Sequence, residues 1–395
     1  GPLLNLNGST LAGMGPVRAL PSNGGYGLTG KGVTVGIGDG GMPGIHPDFH
    51  DRLLGPLVQF GIDHSAHVTG TVAGAGILAP KHKGMAPEAK VLNGIYNSII
   101  LNTNQLRDKY KMAVTNNSIS LTTIPECNQL YGFGTYYIGS FYDMISVENK
   151  YVTHVTAAGN SGDETCGPYP MRYNTVFGGG NSAKNLITTG RTDYNQVPSG
   201  SSGSGPTLDG RLKPDITALG MIVSTNNYGT GYFDAYGTSM STPVVAGAAT
   251  LLYERYRQLY NSQDPSSALV KALLLNGARD IFTPGPDFRT GFGTVMVNRS
   301  LRILDNNQFL EDSISHSAAK DYSFNVPPGQ NELKVMLYWN DVPGDHLAIK
   351  TLVNDLDLEV IGPDGKTSLP LVLDPSPANV MLPAKEGIDR TNNTE

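Results

Sequence analysis

Residues 237–243 read Gly-Thr-Ser-Met-Ser-Thr-Pro and run straight into Val-Val-Ala-Gly-Ala-Ala-Thr-Leu-Leu. No other stretch of the chain constrains the fold as strongly. A tight turn, eased by the missing Cβ of Gly237, feeds an apolar helix whose small residues allow close packing. Ser239 falls in the first helical turn, where unpaired N–H groups and the helix dipole favour developing negative charge. Two readings follow. Ser239 caps a helix, or it is a nucleophile, which then requires a base and a group to orient that base.

At 395 residues the chain exceeds the roughly 250–300 residues that one core usually serves. One large domain and one smaller one are expected, over residues 1–300 and 309–395. A net charge of −6 argues against nucleic acid as a partner. No apolar run reaches the roughly 20 residues that cross a bilayer. Cys127 and Cys166 lack metal-ligand spacing. They are two free thiols, or they close a loop whose entropy would contribute roughly 4 kcal/mol.

Strands and helices alternate as far as about residue 280. Gly32-Val-Thr-Val-Gly-Ile37 reads as a buried strand ending at Asp39-Gly40. Asp63-His64-Ser65-Ala66-His67 leads into Val-Thr-Gly-Thr-Val-Ala-Gly, a small-residue helix expected to begin at His67. Further strands are expected at 91–95, 113–121, 151–160 and 185–189, with helices at 103–113, 137–149, 239–260 and 265–279. The pattern predicts an α/β fold: a mostly parallel sheet with helices on both faces. A carboxylate ending a buried parallel strand, as Asp39 does, lies where such sheets place their sites. Taken alone, Asp39-Gly40 is an ordinary turn. Near residue 300 the pattern changes to short alternating runs (322–326, 333–339, 356–360) separated by Pro-Gly and Pro-Asp-Gly turns, which predict a small antiparallel β domain.

Asp39, His67, Asn160 and Ser239 occur in the order Asp, His, Asn, Ser, and Asp…His…Ser is the subtilisin order. With Gly237-Thr-Ser-Met-Ser-Thr-Pro243, Ala157-Ala-Gly-Asn-Ser-Gly162 and Asp209-Gly-Arg-Leu-Lys-Pro-Asp215, residues 25–300 resemble the subtilisin-like serine proteases. The resemblance implies that Ser239 attacks the scissile carbonyl, His67 takes its proton and Asp39 orients the imidazole. Asn160 and the Ser239 N–H would form the oxyanion hole. His64 is read as structural. Ser118, Ile119 and Ser120 would pair with an extended substrate, and Ala157, Ala158 and Gly159 would wall the first specificity pocket. Three features depart from the family pattern: Gly40 after the Asp, the pair Ser65-Ala66 between the histidines, and Ser204. An inactive fold serving as a protein-binding module is therefore the alternative.

The C-terminal region resembles the β jelly-roll domains that follow the catalytic domain in some subtilases. By that likeness Asp355, Asp357, Asp389, Asn392, Asn393 and Glu395 are candidate ligands of a structural Ca²⁺, a hard cation suited to oxygen donors; the alternative is a solvated acidic edge. The resemblance further implies protein or peptide substrates, secretion to the extracellular space, and a pro-segment absent from these residues. Related domains add a strand after the Asn-Asn-x-Glu word, so the natural chain is expected to run past Glu395.

Overall fold

The computed structural model describes residues 4–55, 61–119, 132–176, 179–330, 332–345 and 348–395. At its centre is a seven-stranded sheet in the order β2-β3-β1-β4-β5-β6-β7, all parallel. The strands are β1 (Thr34–Asp39), β2 (Leu53–Leu54), β3 (Lys90–Ile95), β4 (Met112–Asn117), β5 (Thr153–Ala157), β6 (Ile187–Thr192) and β7 (Ile216–Leu219). The strands β1, β4, β5, β6 and β7 are rich in β-branched and small residues and are buried almost throughout, as parallel strands covered on both faces are; β2 and β3, at one edge, are more open. Val91 packs into the main core, whereas its neighbour Leu92 joins Ile99, Met112 and Val152 in a second cluster. Successive side chains thus serve opposite faces.

The helices are α1 (Leu4–Leu11), α2 (Met14–Arg18), α3 (Asp63–Ala73), α4 (Ser98–Leu101), α5 (Thr103–Tyr110), α6 (Gly132–Glu148), α7 (Thr238–Leu259), α8 (Ser267–Asn276) and α9 (Val297–Asp305). Of these, α7 is buried almost continuously from Thr238 to Glu254 and packs against β4, β5, β6 and β7. The apolar face of α7, with Val244, Val245, Leu251 and Leu252, occupies the main core. A hairpin of β8 (Met221–Thr225) and β9 (Tyr232–Tyr236) covers α3. Gly70 permits that approach, because a Cβ there would lie 2.3 Å from the Thr225 Oγ1.

The chain builds outward from β1 in one direction to β3 and β2, then crosses back to place β4 on the other side of β1. The crevice beyond the carboxyl ends of β1 and β4 is therefore a topological switch point, where open α/β sheets bind ligands. Asp39 ends β1, and Ser118 directly follows β4.

Past α9 the described residues form two-residue antiparallel pairs, β10 (Val360–Ile361) with β11 (Thr367–Ser368) and β12 (Leu371–Val372) with β13 (Lys385–Glu386). A bridge links Tyr338 to Thr394. The strands expected at 322–326 and 333–339 are not formed over the described residues. Alternation alone does not make a ladder: a strand needs a neighbour for its N–H and C=O groups, and Tyr322 and Phe324 stand more than half exposed.

Because Leu251 is fully buried against the sheet, Leu251→Ala is expected to lower unfolding free energy by about 2–5 kcal/mol. Urea denaturation checks this; a loss under about 1 kcal/mol would mean that α7 is not packed as described.

Candidate active site

The nucleophile candidate owes its setting to the entry of α7. Gly237 lies at φ 150°, a conformation glycine adopts readily, and the helix starts at the next residue. Pro243 has no N–H to give to the carbonyl four residues back, that of Ser239. The Ser118 hydroxyl supplies the missing donor at 3.0 Å. In return the Ser239 hydroxyl donates to the Ser118 carbonyl, also at 3.0 Å. A proline inside the helix thereby ties the end of β4 to the first turn of α7.

Asn160, just beyond β5, is exposed. Its Oδ1 accepts from the Thr238 N–H at 2.9 Å and from Thr238 Oγ1 at 3.2 Å. With the amide oxygen held this way, the Nδ2 donor is directed away from Thr238.

The structure corrects the histidine assignment. It is His64, not His67, that meets Asp39: His64 Nδ1 lies 2.8 Å from Oδ1 and 2.9 Å from Oδ2 of the buried carboxylate. His64 is also the accessible one, its side chain 41% exposed. His67 is wholly buried, its Nε2 bonded to the Ile222 carbonyl at 3.0 Å and its ring edge-on to Phe233. The reason is where α3 starts. It begins at Asp63 rather than His67, after Ile62 in extended conformation, and Asp63 Oδ1 accepts the Asn227 N–H. His64 therefore occupies the first turn, facing the crevice, and His67 sits nearly one turn deeper, under β8 and β9.

Electrostatics separate the two imidazoles in the same sense. Burial pulls the pKa of His64 down, but the hydrogen bond and charge of Asp39 outweigh it and raise the pKa above the ordinary value. Burial lowers that of His67 to about 4, so His67 stays neutral at physiological pH. Gly40, one of the departures from the family pattern, still serves Asp39: its backbone N–H donates to Oδ1 at 2.6 Å.

Of the substrate-site candidates, Ser118, Ala157, Ala158 and Gly159 are buried and Ile119 is half-buried. Ser120 lies outside the described residues, as does Cys127; Cys166 is buried.

The six proposed calcium ligands do not form a cage. Asp355 and Asp357 both contact Arg390 Nη1, at 2.9 and 2.8 Å. The guanidinium supplies the positive charge that a cation was expected to bring. Asp389 turns back on its own loop, accepting from the Thr391 and Asn392 N–H groups and from Asn392 Nδ2. Asn392 Oδ1 accepts the Leu212 N–H, and Asn393 Nδ2 donates to Asn185 and Trp339. Glu395 accepts the Leu358 N–H, and burial raises its carboxyl to about 7. Among the described residues, no three His, Cys, Asp or Glu side chains gather as metal ligands.

Sequence reasoning missed a second group of buried charges. Lys184, Lys213 and Lys271 are fully buried, and Lys213 and Lys271 share Asp215 at 2.6 and 2.9 Å. A lone lysine within the apolar helix Ser-Ala-Leu-Val-Lys271-Ala-Leu-Leu-Leu was the available signal, since an isolated buried charge must be paired.

Residues 30–293 match the Subtilase family. Serine protease AprX of Bacillus subtilis (strain 168) is 32% identical over 296 residues, covering 63% of this chain and 62% of that protein. Subtilisin Savinase of Lederbergia lenta is 30% identical over 259 residues, covering 60% and 82%. The serine protease/ABC transporter B family protein tagA of Dictyostelium discoideum is 30% identical over 220 residues, but those span 46% of this chain and only 12% of tagA. Against two of these three relatives, AprX and tagA, the chain spans less than two thirds of their length. In three dimensions the CspB protease of Clostridium perfringens superposes with a TM-score of 0.61, covering 76% of this chain and 99% of that one at 17% identity, a likeness of fold. No described helix is long and apolar enough to cross a membrane. With the family match spanning most of the chain and the parallel sheet formed as that family requires, the chain belongs to the subtilase family.

Proposed function

We propose that the chain is a serine endopeptidase using Ser239 as nucleophile, His64 as general base and Asp39 as the group that orients it. The observation carrying this reading is the Asp39–His64 pair at 2.8 Å, at the same crevice as the first turn of α7. With Nδ1 engaged by Asp39, Nε2 of His64 is the nitrogen left to take the Ser239 proton. Attack on the peptide carbonyl gives a tetrahedral oxyanion; His64 returns the proton to the leaving amine, and water hydrolyses the acyl-enzyme by the same route. Asn160 Nδ2 and the Ser239 N–H are the oxyanion donors, a role that elsewhere is worth about 10²–10³ in kcat.

A peptide in extended form would pair with the backbone at Ser118 and Ile119, with Ala157, Ala158 and Gly159 walling the pocket for the residue before the cut. Small wall residues suit a broad or apolar preference. Protein or peptide substrates, secretion and a pro-segment accompany this reading. So does a C-terminal unit, residues 309–395, of jelly-roll type beside a catalytic unit of residues 1–300.

A fluorophosphonate probe distinguishes an active enzyme from an inactive protease fold that binds a partner. Wild type is expected to gain one adduct, and Ser239→Ala none, with turnover down by about 10⁶ as when a subtilisin loses its serine. Unlabelled but folded wild type would favour the binding module. The pH profile tests the base. Only neutral imidazole accepts a proton, so kcat/KM should rise with pH through a midpoint above about 6.5, the usual imidazole value. A midpoint near 4, where burial places His67, would contradict the assignment to His64.

A further inference from the structure

Lys184 follows the short helical turn Gly179–Ser182 and is buried together with Asp341. Its ammonium has three donors, and all three go to the C-terminal region: to Asp341 Oδ2, to the Val342 carbonyl at 2.7 Å and to the Thr351 carbonyl at 2.7 Å. The next residue, Asn185, is clasped as well. The Asp341 N–H donates to Asn185 Oδ1 at 2.9 Å, and Asn185 Nδ2 donates to the Asp341 carbonyl at 2.8 Å. From the other side, Arg211 donates to the Ser182 carbonyl while paired with Asp209, which accepts from Thr351.

This clamped stretch ends at a wall of the substrate pocket. Asn181 Nδ2 donates to the Ala158 carbonyl at 3.3 Å, and Asn181 is itself fixed by its carbonyl, which accepts from Thr188 Oγ1 at 2.8 Å. Ala158 is wholly buried and directly precedes Gly159 and Asn160. A charge buried in this way holds only while its partner is present, because an unpaired ammonium inside a protein is strongly unfavourable. Asp143 holds the backbone here, accepting the Lys184 and Asn185 N–H groups at 3.2 and 2.9 Å; loss of the Asp341 carboxylate leaves the Lys184 ammonium with its two carbonyl partners and loosens the 181–185 stretch from the C-terminal side.

We propose that Asp341 is a positioning residue for substrate binding: its carboxylate, through Lys184, fixes the 181–185 stretch, whose Asn185 its main chain also clasps, and through Asn181 it fixes the Ala158–Gly159 wall. The C-terminal region is then a working part of the specificity pocket. The kinetic side of this inference rests on the protease reading above; its structural side does not.

The test uses the full 395-residue chain and Asp341→Asn. Hydrogen exchange over residues 157–162 should quicken about five-fold or more, a typical size for coupling between sites, while residues 34–39 keep wild-type protection. Labelling of Ser239 by a small fluorophosphonate, which bypasses the pocket, should stay within about two-fold of wild type. KM for peptide substrates should rise about five-fold or more with kcat little changed. If Asp341→Asn does not fold, Lys184→Met with Asp341→Asn carries the same test without stranding a cation. Wild-type exchange at 157–162 in the folded variant overturns the proposal, as does a KM that does not move. A wild type that neither labels nor cleaves defeats the protease reading alone, and the exchange result then decides this inference by itself.

Discussion

The burial of α7 is the constraint on which the rest of the structure depends. A helix can run through the middle of a domain only if its surface is small and apolar and its end groups find partners. Residues 244–252 meet the first condition. The second is met by exchange at the crevice: Pro243 deprives the Ser239 carbonyl of its helical donor, and the Ser118 hydroxyl replaces it. The same helix that fills the core thus delivers a serine to the end of β4. Because β1 and β4 diverge there in connectivity, Asp39 and the first turn of α3 reach the same place.

Much of this could be read in the sequence, and the exceptions have physical causes. The parallel strands announced themselves as short β-branched runs, and Asp39, Asn160 and Ser239 each sit in a local word at the end of a strand or the start of a helix, where the fold places them. The histidine did not. His64 and His67 are three residues apart on one small-residue helix, so choosing between them required knowing where that helix begins. Its start is fixed by Ile62 and by the contact of Asp63 with Asn227, a residue far along the chain. An error of nearly one turn moved the imidazole from the crevice into the core.

The acidic C-terminal words misled for a similar reason. Asp355 and Asp357 do lie close together, but the charge that meets them is Arg390, and only the folded chain brings it there. Similarly, Lys184 and Lys271 gave no pattern along the sequence, since their partners Asp341 and Asp215 come from other segments, whereas Lys213 has its partner Asp215 two residues on. Buried ion pairs of this kind contribute little net stability compared with apolar packing, yet breaking one is costly. Of the three, the Lys184–Asp341 pair is the one that ties the C-terminal region to the residues ahead of β6.

The assignment of His64 as base is the central claim and can be read directly. A peptide chloromethyl ketone bonds to the nucleophilic serine and alkylates the imidazole nitrogen poised beside it. Peptide mapping of the inactivated protein should find the alkyl group on His64, with Ser239 required for the reaction. Alkylation at His67, or at neither histidine while activity is lost, would contradict the assignment built on the Asp39–His64 contact.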